Sequence, residues 1–176
     1  MSRLIGNRVP TEFFVTQGSG QSDITEHAGS YHLALRAARI ERANIITYSS
    51  ILPATAFSIP RESYQITHGE VMETIMACGT CRYGESVTAA LGYGWLHHRV
   101  TGERGGGLVA EYSGSLPPDD ARPHVRSMLD ELWRAGLDDE WLLDDVQVLT
   151  EHISPTKMYG TALVALCFVS YEVTTR

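Results

Sequence analysis

The spacing of apolar residues predicts a chain built mainly from β-strands. Apolar and β-branched residues recur in short runs that glycine, proline or charged residues interrupt, which is typical of strands joined by turns. We expect the last two of these runs to pair with each other. The predicted strands are residues 12–17, 44–50, 70–82, 86–100, 107–114, 145–153 and 159–173.

Two segments instead repeat their apolar residues at helical spacing. The clearer helix spans about 118–135, where acidic residues follow a proline pair at the start and Gly136 marks the end. Its apolar stripe consists of Val125, Met128, Leu129, Leu132 and Trp133. The other helix spans about 29–40, and the residues that it would turn toward the core are Tyr31, Ala34, Leu35 and Ala38.

The remaining segments are predicted to connect these elements. Residues 18–28 and 52–65 are predicted loops, and the glycine tract 105–107 is expected to separate two strands. The order of elements is β-α-β, several strands, a helix and two strands, with no repeat or linker that would divide the chain. The sequence therefore predicts one α+β domain over residues 1–176.

Charge and composition exclude several classes of protein. With 176 residues and a formal net charge of −7, the chain lacks the basic surface that nucleic-acid binding needs. Its longest uninterrupted apolar run, residues 162–169, is too short to span a bilayer, and its first residues lack the apolar core of a signal peptide. The odd number of cysteines, three, argues against a disulfide framework. We expect a cytoplasmic protein.

The most informative stretch is residues 44–53, an apolar strand that ends in Ser49 and Ser50 shortly before Pro53. If the backbone is strained and held there, the Ser50 hydroxyl can attack the Ser49 carbonyl and convert the peptide bond into an ester. Loss of the Ser50 α-proton would expel the Ser49 carboxylate, and hydration with loss of ammonia would leave a pyruvoyl group at a new N-terminus. Serine pairs are common, so the alternative is a solvated strand end.

Glu111 is a second candidate, because it interrupts the apolar run 108–112. A carboxylate that is buried in a strand is costly unless it is paired or functional. Shielded from water, it could hold a proton for transfer to a carbanion. The alternative is an exposed strand face on which Glu111 pairs with a lysine or arginine.

The blocks around these residues make the chain resemble the pyruvoyl-dependent arginine decarboxylase family. They keep the family's order and span nearly the whole chain, and residues 44–53 and 107–114 are the most specific. The matching blocks are residues 13–23, 30–35, 40–53, 84–85, 107–114 and 151–152.

The resemblance implies an αββα sandwich that forms trimers or a multiple of them, with active sites at subunit interfaces. It implies cleavage between Ser49 and Ser50 into a β chain of residues 1–49 and an α chain of residues 50–176. The α chain would begin with a covalent pyruvoyl group, the electron sink for decarboxylation. The default reaction is the conversion of arginine to agmatine and carbon dioxide.

The resemblance also assigns roles to single residues. The family's catalytic acid matches Glu111 in the Glu-Tyr motif, where it would protonate the substrate α-carbon after carbon dioxide leaves. Asn44 matches an asparagine beside the cleavage site, and its amide would polarise the attacked carbonyl or hold the substrate. Ser22 and Asp23 match a segment near the substrate pocket.

His32 departs from the family pattern. Archaeal members carry an aspartate at this place, which contacts the guanidinium of the substrate. A histidine cannot form the two parallel hydrogen bonds of a carboxylate–guanidinium pair. Either another acid, such as Asp23 or Glu26, takes this role, or the enzyme decarboxylates a different amino acid.

Cys78 and Cys81 give the strongest competing signal, since such a pair can be a redox dithiol or half of a metal site. A redox pair needs a helix start, whereas these residues end a predicted strand. Zinc would need two further ligands, and adjacent His97 and His98 would point to opposite faces of a strand. We therefore expect ordinary thiols and no metal. An unprocessed family member that acts as a binding or assembly subunit is the remaining alternative.

Overall fold

The computed structural model describes residues 5–175. Its two α-helices are α1, His32–Ala37, and α2, Pro118–Arg134, and a π-helical turn, Glu26–Tyr31, precedes α1. A short 3-10 turn spans Arg61–Ser63. The strands are β1 Ile5–Pro10, β2 Glu12–Ser22, β3 Asn44–Thr47, β4 Ile51–Leu52, β5 Phe57–Ser58, β6 Val71–Arg82, β7 Val87–His98, β8 Arg104–Gly114, β9 Trp141–Ile153, β10 Tyr159–Phe168 and β11 Tyr171–Thr175.

These strands form two large sheets and a ribbon. The five-stranded sheet has the order β3-β6-β10-β2-β5, and the four-stranded sheet has the order β4-β8-β7-β9. Neighbours are antiparallel except that β5 runs parallel to β2 and β3 runs parallel to β6. The ribbon pairs β1 with β11, so it joins the two ends of the described chain.

Three apolar clusters show that the layers are stacked as helix, sheet, sheet and helix. The central cluster lies between the sheets and includes Phe13, Ile75, Leu91, Val109 and Leu166. A second lies under α1 and includes Phe14, Ala34, Ile40 and Leu163. A third lies under α2 and includes Ala90, Ala110, Val125 and Leu129. The predicted α+β class is confirmed, and the layers are those of an αββα sandwich.

The predicted loop 18–28 begins too early, because residues 18–22 continue β2, which ends at Ser22. The glycines allow α1 to lie directly on the strand. A Cβ atom on Gly18 would come within 2.5 Å of the Ala34 carbonyl oxygen and the Ala38 nitrogen, and one on Gly20 would meet the backbone of Ala34 and Ser30. The glycines that suggested a loop are therefore required by close packing of a helix on a sheet.

The expected pairing of the last two long strands is also wrong. β9 pairs with β7 in the four-stranded sheet, whereas β10 lies between β6 and β2 in the five-stranded sheet. β10 is buried almost throughout, as its continuous apolar run requires of a central strand, while β9 is a partly exposed edge. The predicted strand 159–173 is divided into β10 and β11.

Other boundaries differ in smaller ways. β3 ends at Thr47 rather than at residue 50, and the predicted loop 52–65 contains the short β5. The glycine tract 105–107 lies inside β8, where the pairing with β7 shifts by a bulge near His97. Neither helix in the described part of the chain is long and apolar enough to cross a membrane.

The β1–β11 ribbon is attached to the five-stranded sheet through a buried carboxylate. Glu73 on β6 is 3% exposed, and its side chain accepts a hydrogen bond from the Arg8 guanidinium on β1. That guanidinium lies 4.9 Å from the ring centre of Tyr171 on β11. Because a buried carboxylate needs a partner, the ion pair ties the ribbon to the sheet edge beside β3.

Candidate active site

The Ser49–Ser50 peptide lies where the chain crosses from one sheet to the other. β3 ends at Thr47 in the five-stranded sheet, and β4 begins at Ile51 in the four-stranded sheet. The crossing is held on both sides. The Tyr48 N–H donates to the Thr74 carbonyl at 2.9 Å, and the Val109 N–H donates to the Ser50 carbonyl at 3.1 Å.

The carbonyl of Ser49 also accepts a hydrogen bond. Its donor is the N–H of Ile51, two residues later, at 3.0 Å. A bond between residues two apart closes a γ-turn, which is centred here on Ser50. The donor is directed at the oxygen that would become negative if a nucleophile attacked the Ser49 carbonyl carbon.

Glu111 contacts the hydroxyl group of Ser50. The Ser50 Oγ donates to the Glu111 carboxylate and lies 2.8 Å from both Oε1 and Oε2. Glu111 stands on β8 on the same face as Val109, and both Ser50 and Glu111 are partly buried. The structure therefore pairs Glu111 with a hydroxyl that could act as a nucleophile, rather than with a lysine or arginine on an open face. Its catalytic role stays a prediction.

A cavity of about 460 Å³ opens beside this pair. One wall comes from the segment of Ser50 and from β8, and the other comes from the last turns of α2. Most of the lining atoms are apolar, so the cavity combines a reactive polar pair with a wall suited to methylene groups. The lining residues are Ser50, Val109, Ala110, Glu111, Met128, Glu131, Leu132 and Ala135.

The α2 wall is a part of the site that the sequence analysis did not predict. The sequence feature that could have indicated this wall is the apolar stripe of α2, which is wider than the face that the core covers. Leu129 is buried against the sheet, but Met128 is only partly buried and Leu132 is 47% exposed. An apolar flank that the core does not cover is a sign of a pocket wall.

Asn44 lies at the other end of β3 and does not contact Ser50 within the described chain. Its Nδ2 donates to the Gly69 carbonyl at 2.9 Å, and its backbone N–H donates to the Glu70 carbonyl at 2.7 Å. The side chain therefore fixes the turn before β6 in the single chain. Any catalytic role for Asn44 stays a prediction.

Ser22 and Asp23 lie at the far end of the five-stranded sheet. The Ser22 Oγ accepts the N–H of Ile24 at 3.2 Å, and Asp23 lies 3.8 Å from the Lys157 ammonium. Ser22 and Arg82 on β6 both pair with Tyr159 on β10, so they lie at the same height along the sheet. The chain that leads to Ser50 instead lies beside Thr74 on β6. Arg82 and Thr74 are eight residues apart on β6, which is about 26 Å at ~3.3 Å per residue. The single chain does not bring Ser22 and Asp23 to Ser50.

His32 is exposed at the start of α1 and lines a separate cavity of about 410 Å³. Its neighbours in that cavity are His27, Ala28, Tyr31, Leu35, Glu41 and Ala43. The substrate-binding role of His32, like those of Ser22 and Asp23, stays a prediction.

The cysteine pair does not have the geometry of a redox or metal site. Cys78 packs toward the cluster under α1, whereas Cys81 packs into the cluster between the sheets, so the two thiols face opposite sides of β6. Burial, with a smaller effect of Glu26, raises the pKa of Cys78 to about 11. Burial, with a smaller effect of Glu85, also raises the pKa of Cys81. Both effects disfavour the reactive thiolate.

Comparison with known proteins decides the family. The model of the pyruvoyl-dependent arginine decarboxylase family matches residues 12–173, which include both large sheets, α2 and the Ser50–Glu111 pair. The chain belongs to this family. The pyruvoyl-dependent arginine decarboxylase AaxB of Chlamydia abortus is 31% identical over 95% of this chain and 94% of its own length. The protein of that name from Chlamydia trachomatis serovar L2 is 32% identical with the same coverage.

Membership in the pyruvoyl-dependent arginine decarboxylase family makes the chain a decarboxylase, a carbon–carbon lyase that carries a covalently bound pyruvoyl group. The residues around Ser50 fit such a group, since a serine hydroxyl, a carboxylate and a polarised carbonyl meet at one peptide bond.

Proposed function

We propose that the chain cleaves itself between Ser49 and Ser50 and then decarboxylates arginine to agmatine. Family membership and the names of the chlamydial relatives support the reaction and its substrate. The observation that carries the proposal is the hydrogen bond from the Ser50 hydroxyl to Glu111 at the crossing between the sheets. The two members of this pair act in both stages.

In the cleavage stage, the Ser50 Oγ attacks the Ser49 carbonyl carbon and Glu111 accepts the hydroxyl proton. The N–H of Ile51 stabilises the negative charge that develops on the Ser49 oxygen. The C–N bond then breaks, the Ser50 nitrogen takes up a proton, and an ester joins Ser49 to the Ser50 side chain. Loss of the Ser50 α-proton releases the Ser49 carboxylate and leaves dehydroalanine.

Addition of water and loss of ammonia complete the conversion of residue 50. The resulting pyruvoyl group supplies the electron sink that decarboxylation needs. The hydrogen bond from the Val109 N–H to the residue 50 carbonyl keeps this end of the new α chain against β8. The reactive position thus stays next to Glu111 after the chain is cut.

In the decarboxylation stage, Glu111 gives its proton to the substrate α-carbon once carbon dioxide has left. The apolar part of the cavity wall, formed by Val109, Ala110 and Leu132, limits the access of water to that carbon. The carboxylate that removes a proton during cleavage would therefore return one in each turnover.

The working enzyme is proposed to be a trimer, or a multiple of one, with its sites at subunit interfaces. β4 covers β8 only at Gly107 and Leu108, so on that edge β8 has no strand partner beyond the Val109–Ser50 hydrogen bond within residues 5–175. An unpaired edge beside a reactive centre is a natural place for a second chain. A neighbour is also what Ser22, Asp23 and His32 would need to reach a Ser50.

We also propose a cytoplasmic location. Cys78, Cys81 and Cys167 are free thiols, and the last two are buried. Thiols that are kept reduced are usual in reducing compartments. The cysteines then serve as small packing residues.

A panel of amino acids assayed for carbon dioxide release tests the proposed reaction. We expect arginine to be turned over far faster than neutral or acidic amino acids, with agmatine formed in equal amount. Arginine turned over no faster than the rest of the panel would contradict the substrate and leave a decarboxylase of another amino acid. Absence of carbon dioxide from every amino acid, with an uncut chain, would favour a binding or assembly subunit.

A further inference from the structure

The cavity beside Ser50 contains a second carboxylate that the mechanism does not use. Glu131 lines it together with Ser50 and Glu111. Glu111 is occupied by the Ser50 hydroxyl, whereas Glu131 forms no ion pair with any lysine or arginine in the described part of the chain. Its charge is available to a ligand in the cavity.

The position of Glu131 follows from the periodicity of α2. Met128, Leu132 and Ala135 lie three, four and seven residues apart and form one flank of the helix, toward the cavity. Glu131 stands at the edge of this flank. It also borders a neighbouring depression that Arg134 and Asp130 line, so the carboxylate sits at the rim of the apolar wall.

This arrangement suits a cation that ends a flexible apolar chain. The methylene groups would lie against Met128 and Leu132, and the charge at the end would reach the rim. Among cations, a guanidinium matches a carboxylate best, because it donates two parallel hydrogen bonds to the two oxygens. The reactive end of the same ligand would lie at Ser50 and Glu111.

Within one chain, Glu131 is the better placed of the acids considered for this role. Asp23 already lies near the Lys157 ammonium and accepts a hydrogen bond from the Met158 N–H at 3.3 Å. The end of β2 that precedes Asp23 lies about 26 Å along the sheet from the part of β6 beside Ser50. Glu26 belongs to the π-helical turn at that same end.

We propose that Glu131 is the specificity-determining residue for arginine, binding the guanidinium while Met128 and Leu132 contact the methylene chain. This inference rests on the proposed function of the Ser50 site. It explains how a chain with histidine at position 32 retains an acid for the guanidinium. The acid comes from α2 instead of from the start of α1.

Binding of agmatine to the uncut Ser50→Ala protein, measured by calorimetry, tests the inference without any need for turnover. We expect Glu131→Gln to weaken agmatine binding at least tenfold and Glu131→Asp to restore part of the loss. Asp130→Asn is the matched control, since it removes the neighbouring charge outside the cavity, and we expect a change below twofold. On α2, Glu131 is exposed and Asp130 is only partly buried, so we expect both substitutions to leave the fold intact.

Kinetics of the processed enzyme give the second readout. We expect Glu131→Gln to raise KM for arginine roughly 10- to 100-fold with kcat changed only a few-fold, as for loss of a binding contact. Agmatine binding that Glu131→Gln leaves unchanged, or that Asp130→Asn weakens equally, would overturn the inference, as would a loss seen only in Asp23→Asn. Failure of the proposed function would appear separately, as a wild-type protein that is uncut or releases no carbon dioxide.

Discussion

At the scale of single residues, the site depends on one hydroxyl, one carboxylate and one carbonyl. The Ser50 Oγ lies 2.8 Å from both Glu111 oxygens, and the Ile51 N–H donates to the Ser49 oxygen. Of the two serines, Ser50 contributes its side chain to this arrangement, whereas Ser49 contributes its backbone carbonyl. The two serines should therefore respond differently to substitution.

We expect Ser50→Ala to give a folded, uncut and inactive protein, because alanine has no nucleophile and cannot be converted to a pyruvoyl group. Ser49→Ala is the matched control and should still cleave, since alanine keeps the attacked carbonyl. Gel electrophoresis and carbon dioxide release measure both variants. Cleavage of Ser50→Ala, or none in Ser49→Ala, would mean that the reactive bond has been assigned wrongly.

We expect Glu111→Gln to keep the fold but to slow both cleavage and turnover. A neutral amide accepts no proton from Ser50 and donates none to the substrate, and loss of such a group typically costs on the order of 10²-fold or more in rate. The rate of appearance of the two fragments and kcat per processed chain should both fall. Near-normal values for both would remove Glu111 from the mechanism.

At the scale of elements, the sequence predicts well where the helices and long strands lie, but it predicts poorly which elements contact each other. Both helices and every long strand could be found from local periodicity, because each exposes one face or buries both. The sequence could not predict that β9 pairs with β7 while β10 pairs with β2 and β6, because these pairings depend on which strand fills the middle of each sheet. Ser50 and Glu111 can each be recognised as candidates from the sequence. Their contact cannot, because it depends on the pairing of β4 with β8.

The glycines of β2 carry the clearest prediction at this scale. We expect Gly18→Val to destabilise the protein by roughly 1–3 kcal/mol, because the added atoms would collide with the backbone of α1, which cannot give way as a side chain can. Ser19→Ala, at the neighbouring residue whose side chain points to the other face of the strand, is the control. Denaturant unfolding of both variants measures the effect. Equal stabilities would show that α1 does not lie against the strand.

At the scale of the whole molecule, two thiols and a phenol that are partly or fully buried link stability to pH. Burial raises the pKa of Cys78 to about 11, of Cys167 to about 12 and of Tyr171 to about 12. The ordinary thiol value is 9.0. Above it the unfolded chain loses thiol protons that the folded chain still holds, so the free energy of unfolding should fall as pH rises from about 9 toward 12.

Denaturant unfolding between pH 7 and 11 measures this loss. We expect a Cys78→Ser, Cys167→Ala double variant to lose less stability over that range than the wild type, although it begins lower at neutral pH because buried packing is removed. The same slope in both proteins would show that other groups control the alkaline transition.

The proposed activity depends on one event, the break between Ser49 and Ser50. Intact-mass analysis of the purified protein tests it most directly. We expect two polypeptides, a shorter one ending at Ser49 and a longer one that is blocked to Edman sequencing and gains mass on borohydride reduction, as a ketone at its N-terminus requires. A single chain of full mass that persists for days under native conditions would contradict the account.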